Sequence, residues 1–155
     1  MADIWDENYM LNLLRPCLPP GEKLLAAIKA ITLQVNKKKT SFFDVYVGLS
    51  ENYLLVIECE NRQYLCSEYK IPDWRKTVAE DLGVCFALAD IQSCVIKKGI
   101  MGAVNCALTM CDGGFIKLQM PKRAGLGGGR PNHLANREQI SDCQRCCTEP
   151  KRRNA

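Results

Sequence analysis

Residues 41–60, SFFDVYVGLSENYLLVIECE, place two apolar runs on either side of the turn-forming triplet Ser50-Glu51-Asn52. Both runs are rich in Val, Ile, Phe and Tyr, which suit a pleated, half-buried surface. With the triplet as the loop, Leu49 faces Tyr53, Val47 faces Leu55, Val45 faces Ile57 and Phe43 faces Cys59. This register gathers one apolar face, and a slip of one residue would turn half of it over. Asp44, Tyr46 and Glu58 then occupy the other face, as in an antiparallel sheet wetted on one side. A β-hairpin is the expectation, and the flanking segments are read against it.

Upstream, residues 22–35 carry two competing patterns. Leu24, Leu25, Ile28 and Ile31 fit a helical face, while Leu25, Ala27, Ile31, Leu33 and Val35 fit one face of a strand interrupted by Lys29. Local propensity favours helix; a neighbouring hairpin that needs a pairing partner favours strand, and strand is the expectation taken forward. Further back, Trp5, Tyr9 and Leu13 stack at helical spacing with Met10 and Leu14 alongside, giving an amphipathic helix over residues 3–15. Pro16, Pro19, Pro20 and Gly21 end it.

Downstream, residues 63–71 read as a third strand, broken at Pro72-Asp73. A short helix follows in which Trp74, Val78 and Leu82 share a face and Gly83 is the stop. Residues 84–89 and 91–98 form a strand pair or one strand bent around Asp90. Residues 104–120 make a second hairpin, where a three-residue loop Asp112-Gly113-Gly114 sets Met110 against Ile116, Leu108 against Leu118 and Cys106 against Met120. After a glycine-rich loop over residues 121–131, Asn136 with Gln139 reads as a capping box. It opens a last helix with Ile140, Cys143 and Cys147 on one face. The expected fold is mainly β (α+β): a small antiparallel seven-stranded barrel with a C-terminal capping helix and an extra N-terminal helix.

The order of elements, with Pro20-Gly21-Glu22-Lys23-Leu24-Leu25 at its start, Val45-Tyr46-Val47-Gly48-Leu49-Ser50, Ala89-Asp90-Ile91 and Asp112-Gly113-Gly114, resembles the pleckstrin-homology-like barrels. The likeness is greatest to the small bacterial members of unassigned role. It covers roughly residues 20–148, and the N-terminal helix and the 73–83 insert depart from the minimal family plan. The corresponding division is a helix and linker over residues 1–20, a pleckstrin-homology-like domain over residues 21–148 and a basic tail over residues 149–155. The resemblance implies binding or scaffolding, without choosing a ligand.

The chain has 155 residues, enough for one domain with its own core, and 47% apolar and 25% charged residues, as in an ordinary globular domain. No run is long enough to span a membrane, and the acidic start Asp3-Ile4-Trp5-Asp6-Glu7 is unlike a basic secretory leader. A cytoplasmic location is expected. Five of the ten cysteines, Cys59, Cys66, Cys94, Cys106 and Cys111, fall in expected strands and read as buried reduced thiols, with a Cys59–Cys66 bridge conceivable under oxidation. The net charge of +4 is uneven: residues 1–120 hold 13 basic and 14 acidic side chains, residues 121–155 hold 8 and 3. A solvated tail accounts for this, and no nucleic-acid partner is expected.

Lys37, Lys38, Lys39 and Phe42 are the candidate site residues. In the lipid-reading members of the resembled family, basic residues around the loop between the first two strands hold phosphoinositide headgroups, and this triplet occupies that loop. Phe43, Asp44 and Val45 stand where that family pattern wants further basic residues, so a solvated loop is the competing reading. The glycine-rich loop Gly125-Leu126-Gly127-Gly128-Gly129 lacks the Gly-Lys-Ser/Thr of a phosphate cradle. His133, the single histidine, with Cys143, Cys146 and Cys147 falls short of the paired knuckles of a structural zinc site. No nucleophile–base pair can be named, and Asp90 and Asp112 are turn residues. The expectation is a non-enzymatic binding or scaffold module without cofactors, acting through a protein partner or self-association. The alternative is peripheral binding to an anionic membrane surface through residues 37–39.

Overall fold

The computed structural model describes residues 6–36, 42–59, 83–111, 113–121 and 135–141. Helix α1 (Glu7–Leu14) runs into a 3-10 turn (Arg15–Cys17). The strands are β1 (Ala26–Val35), β2 (Asp44–Leu49), β3 (Tyr53–Glu58), β4 (Gly83–Ala87), β5 (Ile91–Lys98), β6 (Val104–Met110) and β7 (Phe115–Met120). A helix over residues 135–141, α2, follows. All seven strands join one antiparallel sheet in the order β4-β3-β2-β1-β7-β6-β5, curled into a half-barrel. The mainly β fold with a helix at each end is therefore the one expected from sequence. Among the described residues no helix is long and apolar enough to cross a membrane.

The strand reading of residues 22–35 holds from Ala26 to Val35, and β1 joins the two halves of the sheet. Ala26 to Ile31 pair with β2, and Ile31 to Val35 pair with β7 across a register shift between Thr32 and Gln34. An extra residue at such a bulge bends a strand and increases its twist. It also changes which residues face inward: Ala26, Ile28, Ala30 and then Val35 enter the core, rather than the set Leu25, Ala27, Ile31, Leu33 and Val35.

The organising hairpin forms in a different register. Leu49 pairs with Leu54, Val47 with Val56, Tyr46 with Ile57 and Val45 with Glu58. Its tip is Glu51-Asn52, because the Ser50 N–H donates to the Tyr53 carbonyl at 2.9 Å. The Glu22 carboxylate fastens this turn: Oε1 accepts from Ser50 Oγ at 2.6 Å and from the Asn52 N–H at 3.2 Å, while Oε2 accepts from Asn52 Nδ2 at 3.0 Å. These bonds hold the Glu22 carboxyl below its ordinary range, the Ser50 hydroxyl contributing most. Relative to the expected register, β3 is turned over.

That reversal is tolerated because both faces of β2 and β3 are covered, so Tyr46 and Glu58 are buried rather than wetted. The inner face (Val45, Val47, Leu49, Leu54, Val56) joins the main core, which also takes Val84, Phe86, Cys106, Leu108, Ile116, Leu118 and Ile140 of α2. The outer face (Tyr46, Leu55, Ile57, Cys59, with Ala27 from β1) lies under Met10, Leu14, Cys17 and Leu18. Asp6 caps α1 by accepting the Tyr9 N–H at 3.1 Å. The most deeply buried side chains of α1 are Met10 and Leu14, expected alongside the stripe, while Tyr9 and Leu13 of the stripe are half-buried and Trp5 lies outside the described residues. Tyr9 meets Tyr46 edge-on, with ring centroids 6.2 Å apart.

Lys29, which interrupts the apolar pattern of β1, sits beside Tyr46 on this covered face, 2% exposed, with Nζ 2.6 Å from Asp44 Oδ1. An ion pair lets the strand keep a lysine under the helix.

Residues 84–98 are neither a strand pair nor one bent strand. β4 and β5 occupy opposite edges of the sheet, joined by a 3-10 turn over Leu88–Asp90. Gly83 opens β4, where a Cβ would strike the Val56 carbonyl and Ile57 Cα; the helix it was expected to stop lies outside the described residues. The second hairpin has the expected loop length, placed one residue earlier, with Gly113 at φ 94° as its left-handed residue. Leu108 pairs with Ile116 and Cys106 with Leu118, a shift of two that leaves every apolar side chain on its expected face.

In α2, Asn136 lies inside the helix instead of capping it, and its Nδ2 donates to the Ala27 carbonyl at 3.1 Å. Of the described cysteines, Cys17, Cys59, Cys94 and Cys106 are buried and Cys85 half-buried, while Cys111 is exposed just beyond β6. Cys66, the residue 63–71 strand, the 73–82 helix, the glycine-rich loop, His133 and the C-terminal cysteines lie outside the described residues.

Candidate functional site

Helix α1 covers the outer face of the β1–β4 half, and the matching face of the β5–β7 half carries a groove. Val95 of β5, Ala107 of β6, Lys117 of β7 and Gln34 of β1 are successive ladder partners, forming one row across four strands. Directly opposed residues share a face. Lys97 and Asn105, also paired, flank the row on one side, and Phe115 flanks it on the other. These seven residues line a half-open groove of about 310 Å³.

Alternation in the strands produces this surface. Cys94, Cys106, Leu108, Ile116 and Leu118 point to the core, so the residues between them face outward. Ala107 is small and sits mid-row, making the floor; Val95 and Phe115 supply apolar walls, and Lys97 and Lys117 bring two ammonium groups with no carboxylate among the lining residues. Asn105 keeps its Oδ1 buried against Gly99 with no partner among the described residues, a cost in unpaired polar burial. The Phe115 end is fixed: its carbonyl accepts the Asn36 N–H at 2.8 Å and its own N–H donates to Asn36 Oδ1 at 3.1 Å. Asn36 adopts φ 52°, and asparagine is among the residues that tolerate the left-handed region.

Of the candidate residues named from sequence, Lys37, Lys38 and Lys39 lie outside the described residues. Phe42 is 65% exposed just before β2. It lies at the end of the sheet where Val35 pairs with Ile116, away from the groove's Lys97–Asn105 end. The groove residues escaped the sequence reading because they come from four strands. Their only local signal is a small or polar residue between core residues, as at Ala107 between Cys106 and Leu108.

Chemistry at the described thiols is disfavoured at Cys85, where burial is the main cause pushing the thiol up to about 12, with Cys17 and Glu22 adding to it. A neutral thiol is a weak nucleophile. Among the described residues no cluster of His, Cys, Asp and Glu forms a metal site. Comparison with protein-family models and with curated protein sequences gives no match.

Proposed function

We propose that the chain is a non-enzymatic, pleckstrin-homology-like binding module whose β5–β7 face takes an extended, acidic segment of a protein partner. The family reading is supported by the strand order, by a long β1 shared between the two halves and by the C-terminal helix packed on the core. The docking reading rests on the outward row Val95–Ala107–Lys117–Gln34, which with Lys97 and Phe115 pairs apolar walls with two lysines and no carboxylate. An extended peptide supplies what this surface lacks: carboxylates for Lys97 and Lys117, and apolar side chains for Val95 and Phe115. A module of this kind recruits a partner and transforms nothing.

The test is fluorescence anisotropy with a panel of labelled peptides alternating Glu with Val or Phe, at low and high salt. Binding by the acidic peptides is expected, weakening with salt, absent for the same peptides with Lys in place of Glu, and lost in Lys117→Glu. Equal binding of acidic and basic peptides, or an unchanged affinity in Lys117→Glu, would refute the assignment.

A further inference from the structure

The turn between β5 and β6 displays two large apolar side chains to solvent. Ile100 is 79% exposed and Met101 91% exposed. The turn is tightly built: the Gly99 N–H donates to the Ala103 carbonyl at 2.8 Å, and the Ala103 N–H donates to the Ile100 carbonyl at 3.1 Å. Met101 sits at φ 56°, ψ 38°, followed by Gly102 at φ 79°. A side chain in this left-handed region is disfavoured, and glycine is its usual occupant. Beneath the turn, buried Arg137 of α2 donates through Nη1 to the Gly102 carbonyl at 2.8 Å and to the Met120 carbonyl at 3.3 Å. The tip therefore holds an exposed methionine in an unfavourable conformation on a braced support, and neither cost serves the core.

Lys97 and Lys98, both exposed, lead into the turn. Consecutive strand residues point to opposite faces, so an ammonium group stands on each side of the apolar tip. Phe42, also exposed, is no part of this cluster. β7 runs from Ile116 beside Val35, near Phe42, to Met120 beside Val104, next to the tip, so the two lie at opposite ends of the sheet.

We propose that the Ile100–Met101 tip is a membrane contact, inserting into the interface of an anionic bilayer with Lys98 at the headgroups. A protruding pair of apolar side chains suits a deformable acyl boundary, and basic residues beside it are attracted to an anionic leaflet. Because the turn is already rigid, little is lost in ordering it on binding. This surface is distinct from residues 37–39 and goes beyond the peptide groove: the domain holds its partner near a membrane.

The test is co-sedimentation of the full chain with vesicles of phosphatidylcholine alone and with about one third phosphatidylserine. Wild type is expected to bind the anionic vesicles at low salt and to bind the neutral ones much less. Lys98→Gln is expected to weaken binding about fivefold, as for one basic residue near an anionic surface. Ile100→Ser with Met101→Ser should weaken it about 25-fold, taking each side chain as inserted to half its depth. Met101→Gly separates the contact from the fold, since it relieves the backbone while removing the side chain: its stability should hold and its vesicle binding should fall about fivefold. Absence of wild-type binding at low salt, an unchanged affinity in the Ile100→Ser, Met101→Ser protein, or equal binding to neutral vesicles would overturn the proposal. So would loss of binding in Lys37→Ala, Lys38→Ala, Lys39→Ala with retention in the tip variant.

Discussion

Removing Asp44 should cost more than removing the lysine it pairs with. Lys29 Nζ lies 2.6 Å from Asp44 Oδ1, and the two side chains are 2% and 39% exposed. Charges about 4 Å apart at an effective dielectric near 20 attract by about 4 kcal/mol. Water reaching Asp44 screens part of this, and desolvation of the ammonium offsets more, so the net value of the pair is far smaller. Asp44→Ala deprives a buried cation of its carboxylate, which costs about 3–5 kcal/mol in a fully buried pair; with one partner partly in water, about 2 kcal/mol is expected. Lys29→Met keeps an unbranched apolar stem against Tyr46 and leaves Asp44 able to turn to solvent, so its cost should be about 1 kcal/mol or less. The double variant should then cost less than the two single variants together, with a coupling of about 1–2 kcal/mol. Urea unfolding of the four proteins under reducing conditions measures all three quantities. Equal, additive costs would show that the pair contributes nothing to burial of Lys29 and would refute this account of why β1 tolerates a lysine.

The Glu22 bracket on the first hairpin predicts a pH effect. Because its carboxyl is held below the ordinary 4.5 by Ser50 and Asn52, it stabilises the fold above that pH and the contribution disappears as pH falls through the lower folded value. Glu22→Gln should therefore lose stability at pH 7, and its urea midpoint should fall less than that of wild type between pH 5 and pH 3; parallel midpoint curves would contradict the bracket. Gly83→Ala should destabilise by more than about 2 kcal/mol, since the added methyl group meets the backbone of β3 rather than a side chain that can rotate away. A thermal midpoint equal to that of wild type would mean that β4 does not pair as tightly as described.

Where sequence patterns were informative, the reason is local. Gly113 and the alternation of Cys106, Leu108 and Met110 with Ile116, Leu118 and Met120 placed the second hairpin on the correct face, even with its loop displaced by one residue, because a shift of two preserves the side-chain period. The first hairpin offered no such guide: β2 and β3 are apolar on both faces, so burial alone does not distinguish two registers. Its register is set with help from Glu22, 28 residues before Ser50. Asn136 looked like a cap for the same kind of reason: its bond to the Ala27 carbonyl joins groups 109 residues apart.

The sequence by itself determined the class of fold: β-branched and aromatic runs, turn residues and two amphipathic ends specify an antiparallel sheet flanked by helices. Tertiary structure alone decided three things. Packing of α1 buried the face of β2 and β3 that composition left open to water, because Met10 and Leu14 supply an apolar surface there. The curl at β1 aligned Gln34, Val95, Ala107 and Lys117 from four strands into one groove. The β5–β6 turn, braced by Arg137, holds Ile100 and Met101 out toward solvent. Periodicity reports which residues prefer burial, and only the assembled sheet fixes which faces remain to be covered.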